Sequence, residues 1–111
     1  MPGFEVTPIG TVRNNRTDVQ HTDNWGAVRS TITIDERFGE ACLQGLEGFS
    51  HVEVPCCAIE SVHGRELTVV GLDAVSGTPV IDLKPRMAEF RTVNIKQPEW
   101  VSRLMAEYFQ P

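Results

Sequence analysis

Residues 66–85 read E-L-T-V-V-G-L-D-A-V-S-G-T-P-V-I-D-L-K-P. The apolar runs and turn signals in this stretch point to a β protein. Residues 66–72 (E-L-T-V-V-G-L) form a strand, because β-branched and apolar side chains suit a pleated, half-buried surface. His63-Gly64-Arg65 makes that strand the second arm of a hairpin. Ser76-Gly77-Thr78 is a turn, and residues 79–83 (P-V-I-D-L) are a further strand ending at Lys84-Pro85.

Upstream, residues 49–62 give two more strands, F-S-H-V-E-V and C-C-A-I-E-S-V. Pro55 separates them, since proline cannot donate to a ladder. Residues 28–35 alternate, with Val28, Ser30, Ile32 and Ile34 on one face. Residues 4–13 read as a strand whose Pro8 and Gly10 argue for an edge or a bulge. Between these two lies the longest polar stretch, residues 14–26 (N-N-R-T-D-V-Q-H-T-D-N-W-G), a loop of the length that usually carries function or moves.

Two helices complete the reading. Residues 36–46 place Phe38, Ala41, Cys42 and Leu46 at helical spacing, with Gly45 and Gly48 where a helix stops. At the C-terminal end, Pro98 suits a first helical position. Trp100, Leu104 and Tyr108 then recur at i, i+4, i+8 beside Val101 and Met105, a stripe expected to cover the sheet as a second hydrophobic layer. The expected fold is mainly β: a small antiparallel barrel with one short internal helix and a C-terminal helix, forming a single domain over residues 1–111.

The 111 residues rule out a full doubly wound nucleotide-binding domain with a separate substrate domain. Hydrophobic residues at 41% and charged residues at 23% are those of a globular chain rather than a disordered one. No apolar run reaches the ~20 residues of a membrane helix, so no membrane association is expected. Met1-Pro2-Gly3-Phe4-Glu5 has neither the basic nor the apolar region of a signal peptide, which makes a cytoplasmic location the expectation. Net charge is −5, so attraction of a polyanion requires a local basic patch, with Arg13, Arg16 and Arg29 as its candidates. Cys42, Cys56 and Cys57 are an odd number with no C-x-x-C spacing. They read as reduced, buried and inert thiols, and no metal site is expected.

Four collinear blocks together resemble the YaeB/TrmO (TsaA-like) family of small β-barrel methyltransferases. They are P-I-G-T-V-R (residues 8–13), D-N-W-G-A-V-R-S-T-I-T-I-D-E-R-F (23–38), G-L-E-G-F-S-H-V-E-V (45–54) and the opening stretch, 66–85. The tail Q-P-E-W-V-S-R-L-M-A-E-Y-F is similar to the end of the short bacterial branch. The resemblance implies a barrel that forms a homodimer and binds S-adenosylmethionine. It also implies methylation of N6 of threonylcarbamoyl-adenosine next to the anticodon of tRNA. The chain departs from the family between Val54 and the hairpin, where members carry a cofactor segment with an arginine–proline–asparagine…isoleucine–glycine motif. Here roughly forty residues are missing against the single-domain size of the family. Arg86 also stands where members tend to have an aromatic.

By the same resemblance, Val75, Ser76, Gly77 and Thr78 lie against the cofactor, and Asp23, Asn24 and Trp25 near its entrance. Read from the residues alone, the turn is equally an ordinary hairpin turn and Trp25 a barrel plug. His51 is a base candidate because an imidazole titrates near neutrality; the other reading is a satisfied wall histidine. Asp73 and Asp82 flank the turn, either facing substrate or capping strand ends. Two functions follow. One is an S-adenosylmethionine-dependent tRNA methyltransferase. The other is a non-catalytic remnant of the fold acting as a binding or interaction module.

Overall fold

The computed structural model describes residues 3–17, 24–53, 56–90 and 94–106, and Tyr108. Six strands form one antiparallel sheet: β1 (Gly10–Arg13), β2 (Arg29–Ile34), β3 (His51–Val52), β4 (Cys57–His63), β5 (Glu66–Val70) and β6 (Pro79–Val80), in the spatial order β3-β4-β5-β2-β1-β6. Strands β4 and β5 are the hairpin expected around His63-Gly64-Arg65, with His63 opposite Glu66. Strand β2 pairs on both sides, Thr33 facing Thr11 of β1 and Glu66 of β5.

The inward parity of β2 is the expected one: Ser30, Ile32 and Ile34 are buried. With Val12, Val52, Leu67 and Val69 they form the core, each at or below 2% exposure. Each such aliphatic side chain contributes about 1.5–3 kcal/mol on full burial. Strand β4 slips register against β5 between Ile59 and Ser61. A bulge of this kind raises local twist and curls a sheet, and the six strands accordingly curve into a half-barrel.

The chain beyond β6 spans the gap between the sheet's two edges. At one end, Ile9 N–H donates to Val80 O at 2.7 Å and Val12 N–H to Thr78 O at 2.9 Å. At the other end, Glu53 N–H donates to Lys84 O at 2.8 Å and Arg86 N–H to His51 O at 2.9 Å, with Val52 bridging Pro85. Edge strand β3 thereby satisfies backbone groups that an open sheet leaves unpaired.

Several expectations change. Strand β1 begins at Gly10 rather than at residue 4, and the exposed Phe4 and Val6 stay out of the ladder. Strand β6 holds only Pro79 and Val80, since the following residues leave β1 for β3. The internal helix is two 3₁₀ turns, Glu40–Leu43 and Leu46–Gly48, separated by Gly45 at φ 88°. Leu43 ends the first turn and Leu46 opens the second, on either side of that break. Both are buried while Cys42 is exposed. The C-terminal helix α1 (Glu99–Met105) starts after Pro98, which sits at its N-cap. Its stripe does not cover the sheet: Trp100 is 62% and Leu104 71% exposed. The buried core is built from the sheet's own strands with Leu43, Leu46 and Leu72, and no residue of α1 joins it. Val54 and Pro55, the expected break between β3 and β4, lie outside the described residues.

Candidate functional site

Asn14 follows β1 and ties three segments together. Its Nδ2 donates to Ser30 Oγ at 2.9 Å and to Ala74 O at 2.7 Å, and its Oδ1 accepts the Arg16 N–H at 2.8 Å. The Arg16 carbonyl in turn accepts the Ser76 N–H at 2.6 Å, and the Val12 carbonyl accepts the Gly77 N–H at 2.8 Å. The 75–78 turn is thus strapped to the segment after β1. Gly77 has φ 95°, a conformation that side-chain-bearing residues rarely adopt. Thr78 closes the turn, its N–H at 3.2 Å and its Oγ1 at 2.7 Å from Val75 O.

Arg16 continues the connection to the second predicted block. Its guanidinium donates to Asn24 O at 3.0 Å and lies 5.0 Å from the Trp25 ring centroid. Trp25 is 4% exposed, so it presents no open stacking face. The structure therefore brings Asn24 and Trp25 and the 75–78 turn into one neighbourhood, through Asn14 and Arg16. Asp23 lies outside the described residues. His51 stands apart on edge strand β3, its Nδ1 2.7 Å from Ser50 Oγ.

Two cavities flank this neighbourhood. One, of about 480 Å³, lies beneath the segment that spans the sheet edges. Val12, Ile32, Val52, Leu72 and Val80 give it apolar walls, Cys57 and Thr78 also line it, and Glu53, Asp73 and Asp82 supply carboxylates. Asp73 accepts the Tyr108 hydroxyl at 2.9 Å. Asp82 accepts the Leu83 N–H at 2.9 Å. Glu53 pairs with Arg86 at 3.3 Å. Burial pushes the Cys57 thiol up to about 11, which keeps it neutral. The second is an open cleft of about 650 Å³ lined by Asn15, Arg16, Asn24, Ala27, Val28 and Arg29. Arg29 reaches Glu60 on β4, which holds the guanidinium above its ordinary value. Both volumes fall in the range of small-molecule sites, ~300–1,000 Å³.

Sequence reasoning singled out the turn and Asn24-Trp25 but missed Asn14, Glu53 and Tyr108. Asn14 had a signal: a hydroxyl at the inward Ser30 of β2 needs a polar partner, and an asparagine opens the adjoining polar loop. Glu53 and Tyr108 had none, since their partners come from distant segments.

A curled antiparallel half-barrel carrying a ligand-sized cavity and a cation-lined cleft defines the class: a small β-barrel-type domain. Within that class the chain has the TrmO-like fold. It superposes on a crystal structure of TrmO from Pseudomonas aeruginosa with a TM-score of 0.74, at 22% identity, covering 87% of this chain and 61% of that one. A second TrmO structure gives the same score and identity, with 64% of its length covered. A third, again from Pseudomonas aeruginosa, matches 97% of this chain and 78% of that one at 18% identity and a TM-score of 0.74. The chain spans less than two thirds of the length of the first two. No protein-family model and no curated sequence matches it.

Proposed function

We propose that this chain is an S-adenosylmethionine-dependent methyltransferase of the TrmO type, acting on N6 of threonylcarbamoyl-adenosine next to the anticodon of tRNA. The observation that carries the reading is an acid-lined apolar cavity walled in part by Thr78, whose turn is bonded through Ser76 to Arg16 of an arginine-lined cleft. A cationic methyl donor with an apolar body suits the first, and a polyanionic acceptor suits the second.

The residues fit the cofactor in a particular way. The N–H groups of Ser76, Gly77 and Thr78 all have protein partners, so the turn offers a ligand its surface and carbonyl oxygens. Asp73 and Asp82 supply acceptors for the ligand's ammonium or adenine amino group and negative charge for its sulfonium. When bound, the cofactor supplies an electrophilic methyl, so the protein's task is placement rather than bond activation. Arg16 and Arg29 hold phosphate; Asp73 and Asp82, which line the cavity, accept the N6 proton in preference to His51, which does not line it.

The same reading makes the protein a cytoplasmic homodimer. Trp100 and Leu104 on α1 form the exposed apolar face such a dimer would cover. Sedimentation is expected to give a dimer that Leu104→Glu converts to a monomer; a monomeric parent protein removes this part.

Calorimetric titration with S-adenosylmethionine tests the central reading, followed by methyl transfer to tRNA carrying the threonylcarbamoyl mark. Saturable binding and transfer are expected, and no heat at millimolar ligand sinks it. A second reading, a binding module without transfer, has one observation in its favour. Val52 pairs with Cys57, so β3 and β4 join through residues 53–56 alone, where the family resemblance implies a long cofactor segment. Binding without transfer would select it.

A further inference from the structure

We propose that Tyr108 is a positioning residue for the cavity: its hydroxyl aims the Asp73 carboxylate while its backbone anchors Trp25 beside the cleft. The inference rests on the cofactor reading above and adds a residue to it. The Tyr108 hydroxyl donates to Asp73 Oδ2 at 2.9 Å, across 35 residues of sequence. The Tyr108 carbonyl accepts the Trp25 N–H at 2.9 Å. One residue therefore touches both the cavity wall and the loop that carries Asn24 and Trp25.

These contacts are set up by the end of α1. The Tyr108 N–H donates to Met105 O at 3.1 Å, which carries the helical turn on and directs the chain back to the barrel. No residue of α1 is buried, so burial does not hold the helix in place. The long-range bonds of Tyr108 do that work, and in doing so they place a phenol against a cavity carboxylate. An ionised carboxylate has about four acceptor positions on two oxygens. Tyr108 takes one on Oδ2 and leaves Oδ1 for a ligand. A phenol donating to a carboxylate at 2.9 Å restricts the acceptor's rotamer. Fixing Asp73 matters most for a ligand bearing positive charge at the cavity, since a wandering carboxylate attracts a cation less well than an aimed one.

Two measurements test this. The chain has a single tyrosine, so ¹³Cζ-tyrosine labelling gives one resonance that reports Tyr108 alone. Asp73→Asn is expected to move it in the ligand-free protein; an unmoved resonance overturns the coupling. Calorimetry then compares S-adenosylmethionine with S-adenosylhomocysteine, which lacks the sulfonium charge. Tyr108→Phe is expected to weaken the charged ligand about tenfold, the size of a hydrogen bond to a charged group, and the neutral one much less. In an Asp73→Asn background it is expected to add nothing. A loss that is equal for both ligands and persists undiminished in the Asp73→Asn background marks a merely structural tyrosine and overturns the proposal. Unchanged affinities overturn it while leaving the cofactor reading intact. If the parent protein binds neither ligand, the cofactor reading falls and Tyr108 loses its role in aiming Asp73 at a ligand. The resonance then decides only whether the Tyr108–Asp73 bond exists.

Discussion

Ser30 is a hydroxyl at 1% exposure on the inner face of β2, and Asn14 is the residue that makes this tolerable. Burying a hydroxyl without a partner costs roughly 1–3 kcal/mol. The Asn14 amide meets that need and holds Ala74 with its other hydrogen. A core satisfaction and the placement of the 75–78 turn are thus one side chain's work. Cys57 shows the opposite solution, an apolar setting that keeps a thiol neutral. The cysteines were expected to be buried alike, yet Cys42 and Cys56 are exposed and only Cys57 is buried. Cys57 opens β4 on its buried face, whereas Cys56 lies in the turn before the strand. A thiol reagent at neutral pH is expected to label two cysteines in the folded protein and the third only on unfolding. Three fast equivalents would contradict this. With its folded value raised from 9.0 to about 11, Cys57 stays protonated where the unfolded thiol ionises. Its contribution to stability is therefore full below pH 9 and is lost between pH 9 and 11. Denaturant melts of Cys57→Ala are expected to lack that decline.

At the level of elements, β1 and β2 approach each other at Gly10. A Cβ there would stand 2.5 Å from the Thr33 carbonyl oxygen, which is backbone and cannot move aside alone. Gly10→Ala is expected to destabilise the protein by about 1–3 kcal/mol, the range for overpacking. A change below 0.5 kcal/mol on the surface scale would show that the strands part easily. Gly10 in the sequence argued for an edge or a bulge. Its role is a close strand approach, while β1 pairs on both sides with β2 and β6. Helix α1 carries the complementary lesson. Its i, i+4, i+8 spacing is real, but periodicity reports only that a face is apolar. Which surface covers that face depends on how completely the sheet has already closed.

Across the whole molecule, a net charge of −5 opposes RNA binding, so the tRNA recognition proposed above would fall to local cations. Of the three arginines expected to form a patch, Arg16 and Arg29 line the cleft. Arg13 lies elsewhere, bonded to Thr33 and Glu66 on the outer sheet face. Two cleft cations predict a shallow salt dependence for tRNA binding, a log–log slope of about −1.4 at ~0.7 per phosphate. Arg29→Ala is expected to bring it near −0.7 on the same scale. A slope steeper than about −3 would place the RNA on a different and larger surface.

Strand identity, the β4–β5 hairpin and the inward face of β2 were legible in the sequence. Period-two alternation and glycine turns are local signals that need only neighbouring residues. The 75–78 turn and Asn24-Trp25 were legible as blocks by resemblance, though not their linkage through Asn14 and Arg16. Tertiary structure alone decided the rest. It turned the expected internal helix into 3₁₀ turns, left the stripe of α1 exposed, and laid residues 81–86 between the two edge strands. It also gathered Glu53, Asp73 and Asp82 around one cavity and set Tyr108 against Asp73. The reason is that a curling sheet brings together residues dozens of positions apart. The closure that defines the cavity is a property of the assembled strands and of no single segment.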